Sequence, residues 1–245
     1  MPYPLIGNWN DKILKWENVD KDIFVKFKKS IESLLAKKYL RHNSEKNASV
    51  LEPIKTLICK TDESFEIEIF SLNYDLTFES YFNKPEETLI NNGFEGNVWT
   101  GNYENHQQKL NYYKLHGSLD WYLDKEEERT KQNAQTEPEE EPLIIFGSMS
   151  KMMSFDPFLL MLSKFRDKLQ QSILYIVIGY SFHDKYINNM IIQQLAMTTG
   201  KKLLVVDPCM NSSDEFVQML ETVQKAKSIN DKINFTQINA KKVDV

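Results

Sequence analysis

Cysteine is nearly missing from this chain: Cys59 and Cys209 are the only two in 245 residues. Two thiols so far apart give neither a disulfide framework nor a CxxC zinc pair, so no structural metal is expected. Long apolar runs are missing as well. No window approaches the 18 or more apolar residues of a membrane span. The opening "MPYPLIGNWNDKILKW" has no basic start followed by an apolar stretch, so it does not read as a secretory signal. A cytoplasmic protein without a membrane anchor is expected. Glycine is scarce too, and Gly7 is the first and only one before Asn73.

What is present is enough for a core. Hydrophobic residues make up 41% and aromatics 12%, which argues against global disorder and for one large domain or a domain with a small insertion. The net charge of −5 is local, because residues 124–141, "DKEEERTKQNAQTEPEEE", hold eight acidic and three basic side chains. The rest has 27 of each sign and is neutral. A neutral body gives no electrostatic footprint for nucleic acid, so direct nucleic-acid binding is not expected. Residues 124–141 read as a solvated, disordered acidic loop; the other reading is an acidic docking surface.

Periodicity divides the chain into a helical segment over 1–63 and an α/β domain over 64–245. Residues 21–40 place apolar side chains at helical spacing, and 48–59 continue the helical layer. "SFEIEIFSLN", 64–73, alternates and then turns apolar, a strand running inward to Asn73. "YDLTFESYF" then starts a helix, with Asp75 placed to cap it. A hairpin-like stretch follows at 111–123, and "PLIIFGS" at 142–148 reads as a short buried strand. From residue 155 the order is helix, strand 172–181, helix 184–198, strand 201–208, helix and strand 232–238. The apolar run "SILYIVIGYS" has the pattern of a strand covered on both faces. The expected fold class is α/β, a Rossmann-like parallel sheet with helices on both faces behind an N-terminal helical segment.

In such sheets ligands bind beyond the carboxyl ends of the strands. That rule selects Asn73–Asp75, His116–Ser118, Gly147, Gly179–Ser181 and Asp207. Each has a bland reading beside the chemical one. His116 is either an incidental histidine in a tight turn or a base at a strand end, since an ordinary pKa near 6.5 suits that work. Gly117 permits a left-handed or close-approach backbone. Asn73 and Asp75 are either turn formers or an amide and a carboxylate aimed at a polar substrate. Gly179 and Ser181 are either a plain strand exit or a turn against a phosphate. Asp207 either precedes the turn at Pro208 or bonds ribose hydroxyls.

The serial order of these signals is more specific than any one of them. "SLNYDLTFE", "YKLHGSLDW", "PLIIFGS", "LYIVIGYSFHDKYIN" and "LLVVDP" together resemble the sirtuin-like family over residues 64–210. The branch most resembled is the bacterial one whose members hydrolyse NAD in antiphage defence. The resemblance implies NAD as substrate. It places Asn73 beside the nicotinamide riboside, Asp75 near the carboxamide, and His116 as the catalytic histidine on a ribose hydroxyl. Gly117 follows that histidine in the cofactor-binding turn, Gly179 and Ser181 form the phosphate turn, and Asp207 meets the adenosine ribose. It also implies a partner from a defence system, or homo-oligomerisation, to control a toxic activity.

Two departures bear on this. The four-cysteine zinc module of the deacylating members is replaced by the acidic loop, which favours NAD cleavage over protein deacylation and leaves no zinc. The family's glycine-rich "GAG" phosphate loop has no counterpart before Asn73. The sequence therefore leaves open a chain truncated before its first strand, a degenerate member relying on a partner, or an inactive nucleotide-binding or scaffolding relic.

Overall fold

A computed structural model describes residues 26, 30, 34, 44–60, 67–84, 87–104, 110–133, 142–145, 155–207, 221 and 236–238. Lys26, Ser30 and Leu34 are helical; the rest of the expected 21–40 helix, Gly147 and most of the expected helix after Asp207 lie outside the described residues. The chain divides into two compact units, Met1–Leu162 and Ser163–Val245, each considered by itself.

The first unit begins with α1, Ser44–Lys60. Its Leu51, Ile54 and Ile58 recur at the spacing of one helical face and join a cluster with Tyr81, Phe82, Leu89, Ile90, Leu110 and Tyr112. This helix therefore packs into the same unit as the first strand. Strand β1, Glu68–Ser71, pairs in parallel with β7, Leu110–Lys114, which pairs in parallel with β4, Ile90–Asn91. The pairing sets Ser71 opposite Lys114, so β1 and β7 end side by side. Helix α2, Thr77–Phe82, leaves the β1 tip. Phe78 stacks on Phe82 and Tyr112, tying α2 to β7. A two-stranded ribbon, β2 (Asn83–Lys84) with β3 (Glu87–Thr88), follows α2.

Strands β5 (Phe94–Glu95), β6 (Val98–Trp99), β8 (Trp121–Asp124) and β9 (Arg129–Gln132) make an antiparallel sheet in the order β5-β6-β9-β8. Two expectations are corrected here. Residues 111–123 are not a hairpin, because β7 and β8 belong to different sheets and the chain turns at 115–120 between them. The first part of the expected acidic loop is an ordered β8–β9 hairpin. Thr130 is buried on its inner face, and Lys131 reaches Asp124 at 2.8 Å and Glu127 at 2.7 Å. The Lys131 ammonium, with the Glu127 and Glu126 amides, holds the Asp124 carboxyl down at about 2. Residues 125–129 of the turn are exposed, as the charge density suggested, but strand pairing on either side orders them. Residues 134–141 lie outside the described residues.

Helix α3, Phe158–Gln171, starts where Asp156 accepts a hydrogen bond from the Leu160 amide. The division between units falls within α3. In the second unit β10 (Leu174–Ile178), β11 (Lys202–Val206) and β12 (Thr236–Ile238) form a parallel sheet in that order. Helix α4, Lys185–Met197, connects β10 to β11. A strand–helix–strand crossover between parallel neighbours is the unit that the apolar runs implied. The α3 terminus is closed by Lys201, whose ammonium donates to the carbonyls of Leu169, Gln170 and Ser172. The expectation that the 172–181 strand is covered on both faces is corrected. Tyr175 is buried, but Leu174, Ile176 and Ile178 on the opposite face are 46–58% exposed. Continuous hydrophobicity hides the alternation that the pleat imposes.

Candidate functional site

The tips of β1 and β7 bring Asn73, Asp75, His116 and Gly117 to one edge. Beyond Ser71 the chain turns, with the Asn73 amide donating to Ser71 Oγ at 3.1 Å and the Asn73 side chain exposed. Asp75 Oδ1 accepts from the Thr77 amide at 2.9 Å, an Asx-type turn just before α2; the N-cap position is Leu76 rather than the expected Asp75. Beyond Lys114 the second turn is stitched to the first. Leu115 N donates to Ser71 O at 2.9 Å, and Leu119 N donates to Tyr74 O at 3.0 Å. Half-buried His116 sits between those two bonds, its carbonyl accepting from Ile145 N at 2.9 Å.

Gly117 is required by geometry. Its φ is +80°, and a Cβ there would lie 2.0 Å from the Leu143 carbonyl oxygen. The expected 142–148 strand is represented by a bridge between Gly117 and Ile144, with Ser118 N donating to Leu143 O. That bridge clamps the histidine turn against the chain returning from β9.

Beneath the two turns lies a buried polar network that the sequence reading did not single out. Lys114 is 1% exposed. Its ammonium donates to Asp75 O at 2.6 Å and Ser118 Oγ at 2.8 Å, and meets Glu79 Oε1 at 2.8 Å. Ser118 donates in turn to Asp120, which also accepts from Gln132 Nε2 at 2.5 Å. Burial raises the Glu79 carboxyl above its ordinary range even though Lys114 opposes the shift. The other Glu79 oxygen is buried without a hydrogen-bond partner. One signal was readable: in "YYKL" the lysine falls between two tyrosines and a leucine, an unusual place for a solvated charge.

In the second unit Gly179, Ser181 and Asp207 follow the ends of β10 and β11. Gly179 has φ +62° with open space where a Cβ would stand. Its N–H is engaged by Val206 O at 3.0 Å, and Ser181 in the same turn is exposed. Tyr180 donates to Asn188 Oδ1 at 2.7 Å, and Asn188 donates to Phe182 O at 2.5 Å, fixing the strand exit to α4. Asp184 caps α4 by accepting from Tyr186 and Ile187 amides. Asp207 is half-buried at the β11 end.

These strand ends, with their parallel neighbours and crossover helices, coincide with a family pattern. The model of the SIR2-like domain matches residues 67–230. The chain belongs to the SIR2-like family. The match covers both strand-tip turns of the first unit and the β10–β11 turns of the second. It supports the α/β Rossmann-type architecture and a chemistry related to NAD, which the family uses as substrate. No curated protein matches the chain. Among the described residues of this SIR2-like chain, no group of three or more His, Cys, Asp or Glu is arranged to hold a metal ion. None of its described helices is long and apolar enough to cross a membrane.

Proposed function

We propose that this chain is a cytoplasmic NAD glycohydrolase that cleaves the nicotinamide–ribose bond, releases nicotinamide and ADP-ribose, and serves as an antiphage effector. The observation that carries this reading is the placement of Asn73 and His116 just beyond adjacent parallel strand tips of a SIR2-like domain. An exposed amide and a half-buried imidazole suit a ribose, whose hydroxyls need one acceptor and one orienting group.

Glycosyl transfer of this kind passes through an oxocarbenium-like state. Asn73 orients the attacking water or the ribose. His116 accepts a proton from a ribose hydroxyl, an action worth roughly 10²–10⁴-fold. Asp75 acts at the carboxamide end; since one carboxylate oxygen holds the Thr77 amide, the other is the one to turn toward substrate. Gly117 lets the backbone turn tightly beside the imidazole, Gly179 and Ser181 shape the phosphate turn, and Asp207 receives the adenosine ribose. Control through a defence-system partner or self-association fits an activity that depletes NAD.

The test is to incubate the purified protein with NAD, alone and with the products of neighbouring genes, and to follow nicotinamide and ADP-ribose. Equal release of both supports the reading. Absence of NAD binding and turnover under every condition replaces it with a non-catalytic scaffold.

A further inference from the structure

We propose that Lys114 is a positioning residue: its ammonium locks the turn carrying Asn73 and Asp75 to the turn carrying His116. This rests on the glycohydrolase reading for its kinetic consequence but not for its structural one. Lys114 lies at the last position of β7, and its three donor directions go to three different places. One reaches the Asp75 carbonyl in the turn after β1, one the Ser118 hydroxyl in the turn after β7, and one the Glu79 carboxyl on α2. Ser118 passes the connection to Asp120, and Asp120 to Gln132 on β9. One buried cation thus ties both site turns to the helix beneath them and the hairpin beside them.

Stability does not explain such an arrangement. Desolvating a charged pair is expensive, and apolar or neutral replacements of similar volume are often neutral or stabilising. The partnerless second oxygen of Glu79 adds to that expense. What a lysine supplies here, and an apolar residue of the same length does not, is a fixed relation between two loops. Misplacing a reacting group by about 1 Å can cost on the order of 10²-fold in rate.

The experiment compares wild type with Lys114→Met/Glu79→Gln, which removes both members of the pair and leaves Asp120 its hydrogen bonds from Ser118 and Gln132. Melting temperature, kcat and KM for NAD are measured, together with amide hydrogen exchange at Leu119, whose N–H bridges to Tyr74. Expected are a melting temperature at or above wild type, a kcat lower by about 10–100-fold, a KM changed less than about threefold, and faster exchange at Leu119 alone among the bridging amides of the fold. An unchanged kcat overturns the proposal. If wild type itself shows no turnover, the glycohydrolase reading fails, and exchange decides the positioning: Leu119 protection identical to wild type overturns it. Lys114→Met alone gives a second reading at the same amide should the double variant not fold.

Discussion

Gly117 shows how narrowly one residue is specified at the β7 tip. Its left-handed φ and the 2.0 Å approach of a Cβ to Leu143 O leave no room for any side chain. Gly117→Ala is expected to lower unfolding free energy by about 2–5 kcal/mol, combining backbone strain and overpacking; urea denaturation measures it, and a change under about 0.5 kcal/mol contradicts the geometry. The dipeptide His116–Gly117 was legible in the sequence as a bend, but its partner was not, because Leu143 is brought there only by the β8–β9 excursion. Glu79 makes a different demand. Burial lifts its carboxyl pKa in the folded state above the ordinary 4.5. The folded chain then holds that proton more tightly than the unfolded chain. The stability it contributes is present below pH 4.5 and is lost as pH rises through the folded value. Unfolding free energy should fall over that window in wild type and fall less in Glu79→Gln, read from denaturation at a series of pH values.

At the scale of elements, the crossover of the second unit was the most readable part. Its strands are apolar runs of strand length, and its connecting helix, expected from residue 184, is capped by Asp184. Asp184→Ala should cost about 0.5–2 kcal/mol and Asp184→Asn much less, measured as the shift in thermal unfolding; equal losses for the two would mean the carboxylate acts otherwise than as a cap. The β8–β9 hairpin was less readable. Its strand pairing brings Lys131 against Asp124 and Glu127 across the turn, and composition alone registers those residues as charge. The parallel pairing of β1 with β7 was implied by the fold class but not by local pattern, since the stretch after β7 mimics a hairpin. Lys114 escaped notice for a related reason: a lysine is read as solvated unless the strand's inward positions are known.

At the scale of the molecule, strand order turns weak local signals of the first unit into one candidate site. Asn73, Asp75, His116 and Gly117 are scattered over more than forty positions of sequence and come to one edge because β1 and β7 are parallel neighbours. Within the second unit, Gly179, Ser181 and Asp207 follow the ends of β10 and β11, and both sets fall inside the SIR2-like match. The central claim is that Asn73 and His116 act together on NAD. Nicotinamide release by wild type, Asn73→Ala and His116→Ala, each confirmed as folded by its melting curve, tests it most directly. Release by wild type and a loss of about 10²-fold or more in each variant are expected. Wild-type rates in both variants would contradict it.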